Sequence, residues 1–322
     1  MPLLHGKQLG KYRIKKRVGA GSMADVYLAY QPGLDRDVAL KIINPQLADN
    51  PHFLDRFQNE AKIVAGLQHP NIVPVYDFDM QDNTFYMVMQ FVAGTNLNQH
   101  LLELHRQGQT MPPADVLRLF KPVLQAVDYA HRQGVAHLDL KPANVLLTPD
   151  MQPILVDFGL SQMVGAGELS GQNMIVGTPA YMSPEQGAGS PGDTRSDIYA
   201  LGVMLYEMVT GAPPFTADTA ISLILKHLDD PLPPPRAVNP AVPPAIEQII
   251  QRAMEKQPDR RYQTAQAMLA ALEAVSPAEL STGDASSPLP DDRPPYRGLR
   301  TFEPQDAEFY FGREAQVQQL VD

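Results

Sequence analysis

Residues 137–144 read His-Leu-Asp-Leu-Lys-Pro-Ala-Asn, and Asp157-Phe158-Gly159 follows 13 residues after Asn144. No other feature constrains the chain as much. The fold must bring Asp139 to receive a proton, with Lys141 beside it, and Asn144 and Asp157 to hold divalent metal. Phosphoryl transfer from ATP needs this inventory, because it asks the protein for positioning and charge neutralisation rather than covalent chemistry. The first motif alone would be weak. Followed by Asp-Phe-Gly behind the apolar run Ile154-Leu155-Val156, it is strong.

Composition narrows the remaining choices. With 322 residues, 44% hydrophobic and 19% charged, the chain is globular and long enough for one large or two modest domains. A net charge of −10 speaks against a phosphate-neutralising surface for nucleic acid. The chain has no cysteine, which excludes disulfides, thiolate metal sites and a cysteine nucleophile, and fits a reducing compartment. Residues 1–10 lack the apolar core of a signal peptide. The longest apolar stretch, Tyr199 to Val209, is interrupted by Glu207 and reaches about half the length of a bilayer span. We therefore expect a soluble, cytoplasmic chain without a membrane span.

Up to about Gln90 the chain reads as strand-rich with one helix. Tyr12 to Val18 and Asp25 to Tyr30 are expected strands around a glycine-rich turn. Asp37 to Ile43, Val73 to Phe78 and Thr84 to Gln90 are three more, and Pro51 to Leu67 is an expected helix. From there to about Ala274 helices dominate. Val116, Leu119, Phe120, Val123, Leu124 and Val127 recur at helical spacing, and Ile198 to Val209 is apolar nearly all round, as a core helix is. Pro277 to Pro295 has the proline, serine and aspartate content of a linker. An aromatic-rich run follows, and the chain stops within an expected helix, Glu314 to Val321, as a fragment of a longer protein would.

Gly19-Ala20-Gly21-Ser22-Met23-Ala24 joins two expected strands, and glycine lets backbone amides approach phosphate oxygens. A strand–loop–strand setting is that of a lid over ATP, not of a Walker loop or dinucleotide fold. Most such turns are plain hairpins, and Ala24 stands where a third glycine is expected. In Val38-Ala39-Leu40-Lys41-Ile42, alternation puts Ala39 and Lys41 on one face. Lys41 either snorkels from a half-exposed strand or pairs with a carboxylate. Glu60 can supply one, since Phe53, Phe57, Glu60, Val64 and Leu67 share a helical stripe and a core-facing carboxylate needs a partner. The alternative is a solvated Glu60 at the edge of the stripe.

Together these residues resemble the eukaryotic-like (Hanks-type) protein kinases, most closely their bacterial serine/threonine branch, over about Leu9 to Ala274. The resemblance implies an α+β, bilobal kinase fold, with a small mainly β lobe at about 11–90 and a larger mainly α lobe at about 91–274. Residues 1–10 would be an N-terminal extension and 275–295 a linker. It implies that Asp139 is the catalytic base, that Lys141 steadies the γ-phosphate, that Asn144 and Asp157 hold magnesium (or manganese), and that Lys41 pairs with Glu60. For the nucleotide it implies Val18, Gly19, Ala20, Gly21, Ser22, Val26, Ala39, Lys41, Asn144, Leu146 and Asp157, with Met89 as gatekeeper and Gln90, Phe91 and Val92 as hinge. Gly177 to Glu185 resembles the end of an activation segment and a peptide-docking loop. Asp197 resembles the aspartate that braces the catalytic loop, and Arg261 the arginine that pairs with Glu185. Lys141, with Thr178 bonded to it and to Asp139, implies serine/threonine substrates.

One position departs from the pattern. Leu138 stands where most relatives carry an arginine that binds a phosphate on the activation segment, and leucine has no donor. Activity is then expected to depend weakly on loop phosphorylation, with Ser161 and Ser170 as candidate autophosphorylation sites. Residues 295–303 and 309–314 resemble the entry segment of STAND-type signalling ATPases, so 296–322 would begin such a module, whose phosphate-binding loop is absent before Asp322. The alternative is an amphipathic docking tail. The expected partners are a protein substrate, ATP and that C-terminal module. The rival function is a nucleotide-binding pseudokinase acting as scaffold or regulator. A small-molecule kinase is disfavoured by the docking loop.

Overall fold

Strand pairing in the first part of the chain follows its hydrophobic alternation. The computed structural model describes residues 6–21, 24–44, 64–82, 84–158 and 179–275. Six strands form one antiparallel sheet: β1 (Gln8–Leu9), β2 (Tyr12–Ala20), β3 (Ala24–Gln31), β4 (Arg36–Ile43), β5 (Val75–Gln81) and β6 (Thr84–Gln90), in the order β1-β2-β3-β4-β6-β5. The two faces of β4 enter different cores, as its alternation predicts. Val38, Leu40 and Ile42 pack with Tyr12, Tyr27 and Tyr86 on the outer face. Ala39 and Ile43 pack with Ala24, Met87 and Met89 on the inner face. Ile154 and Val156 close over that inner face.

The expected helix from Pro51 to Leu67 falls mostly outside the described residues. Its last described turn ends at Ala65, two residues short of the expected end. The other strand boundaries differ from expectation by two residues at most, while the strand expected at Val73 to Phe78 is displaced by two residues at its start and three at its end. Pro74 lacks an N–H for the ladder, and the strand starts at Val75 and runs on to Gln81.

The second lobe is helical. It comprises α1 (Leu97–Arg106), α2 (Pro113–Arg132), α3 (Pro184–Gly187), α4 (Thr194–Thr210), α5 (Ala220–Asp229), α6 (Pro235–Val238), α7 (Pro244–Ala253) and α8 (Ala265–Glu273). A small sheet, β7 (Thr95–Asn96), β8 (Val145–Leu147) and β9 (Pro153–Leu155), faces the first lobe. Helix α4 is the spine. A capping box between Asp193 and Ser196 starts it, and Gly211, left-handed at φ 88°, stops it. Every residue from Ser196 to Thr210 is buried, as the largely apolar pattern from Ile198 to Val209 predicts, and the burial includes the interrupting Glu207. Gly202 lets α7 come close, since a Cβ there would lie 2.7 Å from Met254 Cγ. Among the described residues no helix is long and apolar enough to cross a membrane.

Candidate active site

The loop between α2 and β8 carries the first motif, and its backbone is held by one buried carboxylate. Asp197, in the first turn of α4, accepts the N–H of His137 and of Leu138, each at 2.7 Å, and meets His131 Nε2 at 2.7 Å. Three partners satisfy a carboxylate that has no solvent exposure. They also hold Leu138 in a left-handed conformation, φ 61°, which costs a branched side chain about 1 kcal/mol or more. Gln186 Nε2 donates to the Leu138 carbonyl at 3.1 Å, fixing the other side of that peptide. His131 and Gln186 carry no motif of their own, and sequence reasoning did not single them out.

The turn presents Asp139 in a specific orientation. Its Oδ2 accepts from Lys141 Nζ at 2.7 Å and from Asn144 Nδ2 at 3.2 Å. Asn144 Nδ2 also donates to the Asp139 carbonyl at 2.8 Å. Among the described residues no donor reaches Asp139 Oδ1 or Asn144 Oδ1, so one carboxylate oxygen and one amide oxygen remain for other partners.

Asp157 follows β9 with φ 68°, a second left-handed residue, and this turn carries its carboxylate toward the upper sheet. There Oδ1 meets Lys41 Nζ at 2.8 Å. Lys41 lies in a cross-strand row with Gly19, Val26 and Met87. The ion pair thus ties the sheet to the turn after β9. Burial alone would push the Asp157 carboxyl up. The Lys41 ammonium, with help from His137 and Lys141, reverses this and holds it below the usual carboxylate range. The carboxylate is closely surrounded by protein, yet about 29% of its side-chain surface still reaches solvent, as at the floor of an open cleft. Behind it, His137 Nε2 lies 3.0 Å from the Val156 carbonyl, and Phe158 packs on the His137 ring.

Lys41, Asp139, Lys141, Asn144 and Asp157 are therefore brought together. The residues expected around adenine divide. Val26, Ala39, Met89 and Val92 share the inner apolar cluster with Ile154 and Val156. Gln90 is exposed at the end of β6, Val18 is 46% exposed on β2, and Leu146 on β8 is half-buried outside that cluster. Gly19 and Ala20 end β2, and the Gly21 N–H bonds the Ala24 carbonyl at 3.0 Å, closing the turn. The Ala24 methyl lies in the inner core, so the missing third glycine is absorbed by packing. Ser22, Glu60, Gly159, Ser161, Ser170 and Thr178 lie outside the described residues, as do the linker and the tail.

Below the loop, Arg261 and Glu185 form a bidentate pair at 2.8 and 2.7 Å, as expected for the two positions. Burial would raise the Glu185 carboxyl. Hydrogen bonds from Arg261 and Ser196 hold it below the usual range instead. Tyr181, in the turn Pro179–Tyr181, donates to Glu207 Oε2 at 2.6 Å. Nothing in the sequence reading had assigned Glu207 a partner.

A twisted sheet over a helical lobe, joined by a lysine–aspartate bridge above an Asp-Lys-Asn loop, defines the protein kinase class of fold. The profile of the protein kinase domain matches residues 12–271, and the chain belongs to that family. Its relatives include the serine/threonine-protein kinase PrkC of Bacillus subtilis, 36% identical over 86% of this chain and 42% of PrkC. The serine/threonine-protein kinase PknL of Mycobacterium tuberculosis is 37% identical over 91% of this chain and 72% of PknL. The crystal structure of the M. tuberculosis PknI kinase domain superposes with a TM-score of 0.66 and 30% identity, over 83% of this chain and 97% of that one. The profile of Novel STAND NTPase 1 matches residues 295–322. The chain spans about two fifths of the length of PrkC and of a probable serine/threonine-protein kinase of Streptomyces coelicolor, SCO3848.

Proposed function

We propose that this chain transfers the γ-phosphate of ATP to serine or threonine hydroxyls of proteins, within a multidomain signalling protein that continues into a STAND-type ATPase module. The observation that carries the reading is the convergence of Lys41, Asp157, Lys141, Asp139 and Asn144 from separate elements. Asp139 Oδ2 is occupied by Lys141 and Asn144, so Oδ1 is the atom that accepts the hydroxyl proton as the acceptor oxygen bonds to phosphorus and the β–γ bridging oxygen leaves with ADP. Lys141 keeps a positive charge beside the transferring group. Lys41, buried and fixed by Asp157, presents its ammonium where α and β phosphates would lie.

The metal fits the residues present. Asn144 Oδ1 and the Asp157 carboxylate are hard oxygen donors, and among the described residues no cluster of three or more acidic or histidine side chains forms a protein-only site. Magnesium typically takes one or two protein oxygens and completes its shell with phosphates and water. When bound it would neutralise phosphate charge, and manganese would serve the same donors.

Leu138 supports weak dependence on activation-segment phosphate, because the loop is braced by Asp197 and Gln186 through backbone groups rather than by an arginine–phosphate contact. Incubation with labelled ATP and a mixed peptide pool tests both points. We expect phosphoserine and phosphothreonine, loss of transfer in Asp157→Asn, and a rate for phosphatase-treated enzyme within a few-fold of the untreated one. Wild-type and Asp157→Asn rates that coincide at background would instead identify a nucleotide-binding scaffold.

A further inference from the structure

We propose that Gln186 is a positioning residue for the catalytic base, converting order in the docking segment into the orientation of Asp139. The inference rests on the kinase reading above and adds to it a residue outside the motif set. Gln186 lies on α3, directly after the segment Gly177 to Glu185 read as the peptide-docking loop. Asp139 lies on the loop between α2 and β8, remote in sequence. One side chain spans the two, and the two ends of its amide do different things.

The amide is oriented by its own network. Its Oε1 accepts from the Ser183 N–H at 3.1 Å and from the Ser183 hydroxyl at 2.9 Å, within the capping box that starts α3. The N–H at that end assigns it as the oxygen and leaves Nε2, a donor only, to face the Leu138 carbonyl at 3.1 Å. Ser183 is fully buried, so water does not compete for this anchor. The stem is confined as well. A Cβ on Gly192, left-handed at φ 78°, would lie 3.1 Å from Gln186 Cγ.

The peptide between Leu138 and Asp139 is thereby held at both edges. Its carbonyl accepts from Gln186, and its N–H donates to His137 Nδ1 at 3.3 Å. The residue in front of it is the left-handed Leu138, whose own N–H is bound by Asp197. Leucine at φ 61° is drawn toward right-handed backbone. Rotation of this peptide would swing the Asp139 carboxylate away from Lys141 and Asn144, and small displacements of a reacting group are costly. The Leu138 side chain has no polar group to tie the two segments together, so the link passes through its carbonyl. The hydrogen bonds of the Gln186 amide go to Ser183 and Leu138 and not to Lys41 or Asp157, so losing the donor should act on the chemical step and spare nucleotide binding.

Steady-state kinetics of the 322-residue chain, with magnesium–ATP and the best-phosphorylated member of a serine/threonine peptide library, provide the test. Two substitutions separate the ends of the amide. Gln186→Glu keeps an acceptor for Ser183 and removes the donor to Leu138. We expect its kcat to fall about tenfold or more, with both KM values within about twofold of wild type. Gln186→Lys removes the acceptor but keeps a donor within reach of Leu138, and it should recover most of that loss. A role confined to capping α3 would give the reverse order. Should Gln186→Glu fail to give a cooperative thermal transition, Gln186→Met, which has neither group, takes its place and should show a lower kcat than Gln186→Lys. An unchanged kcat in the folded donor-less variant, a loss as large in Gln186→Lys, or KM values that rise as much as kcat falls would overturn the proposal. A wild-type chain that phosphorylates no library peptide would overturn the kinase reading itself, a failure visible before any variant is compared.

Discussion

Glu207 shows how one residue can make this fold sensitive to pH. It interrupts the apolar run of α4, is 8% exposed, and has the Tyr181 hydroxyl as its hydrogen-bond donor. Burial pushes its pKa up from 4.5 to about 7, against a smaller opposing effect of Tyr181. Between those two values the folded chain keeps a proton that the unfolded chain has released, so this group's contribution to stability falls as pH rises from about 4.5 to about 7. Glu207→Gln has no such proton to lose. Its stability relative to wild type, from urea denaturation, should improve between pH 4.5 and pH 8 by on the order of 2–3 kcal/mol. A constant offset at both pH values would show that Glu207 does not titrate in this range.

Leu138 and Asp157 mark what single residues hide in a sequence. Both adopt left-handed backbone; aspartate tolerates it through its short polar side chain, a branched leucine does so at a cost, and no sequence signal marks it at Leu138. The helical stripe through Glu60 suggested a partner for Lys41. Glu60 lies outside the described residues; among those described, Lys41 pairs with Asp157, distant in the chain and brought over by its own left-handed turn.

At the scale of elements, the segment from Pro179 to Gly187 depends on contacts from helices remote in sequence. Arg261, 1% exposed, bonds both oxygens of Glu185 and the carbonyls of Arg195, Glu255 and Lys256. Removing one partner of a buried pair strands the other, at a cost of about 3–5 kcal/mol. Arg261→Ala should therefore lower the thermal midpoint by roughly 10 °C, read by calorimetry. A shift of a degree or less would mean that the pair is solvated. Periodicity made the long elements legible: α2 and α4 follow their apolar spacing, and β4 divides between two cores by simple alternation. Tyr181 with Glu207 and His227 with Tyr199 were not legible, because each joins elements with no shared local pattern and involves side chains that alone look like ordinary core or surface residues.

At the scale of the whole molecule, the two lobes meet through apolar packing of Ile154 and Val156 on the sheet and through a few polar groups. Lys41 comes from the sheet, Asp157 from the turn after β9, and Asp139 and Asn144 from the loop after α2. The motif residues announced this gathering because phosphoryl transfer requires it; which oxygen of Asp139 stays open became readable only from the hydrogen bonds. If Lys41 and Asp157 serve the nucleotide while Asp139 serves the acceptor hydroxyl, binding and chemistry must separate on mutation. Parallel measurement of magnesium–ATP affinity and peptide phosphorylation in Asp139→Asn tests this most directly. We expect affinity within about threefold of wild type and transfer reduced by about 10²–10⁴. Undiminished transfer in that variant, or a loss of affinity as large as the loss of transfer, would contradict the assignment of these groups to one shared site.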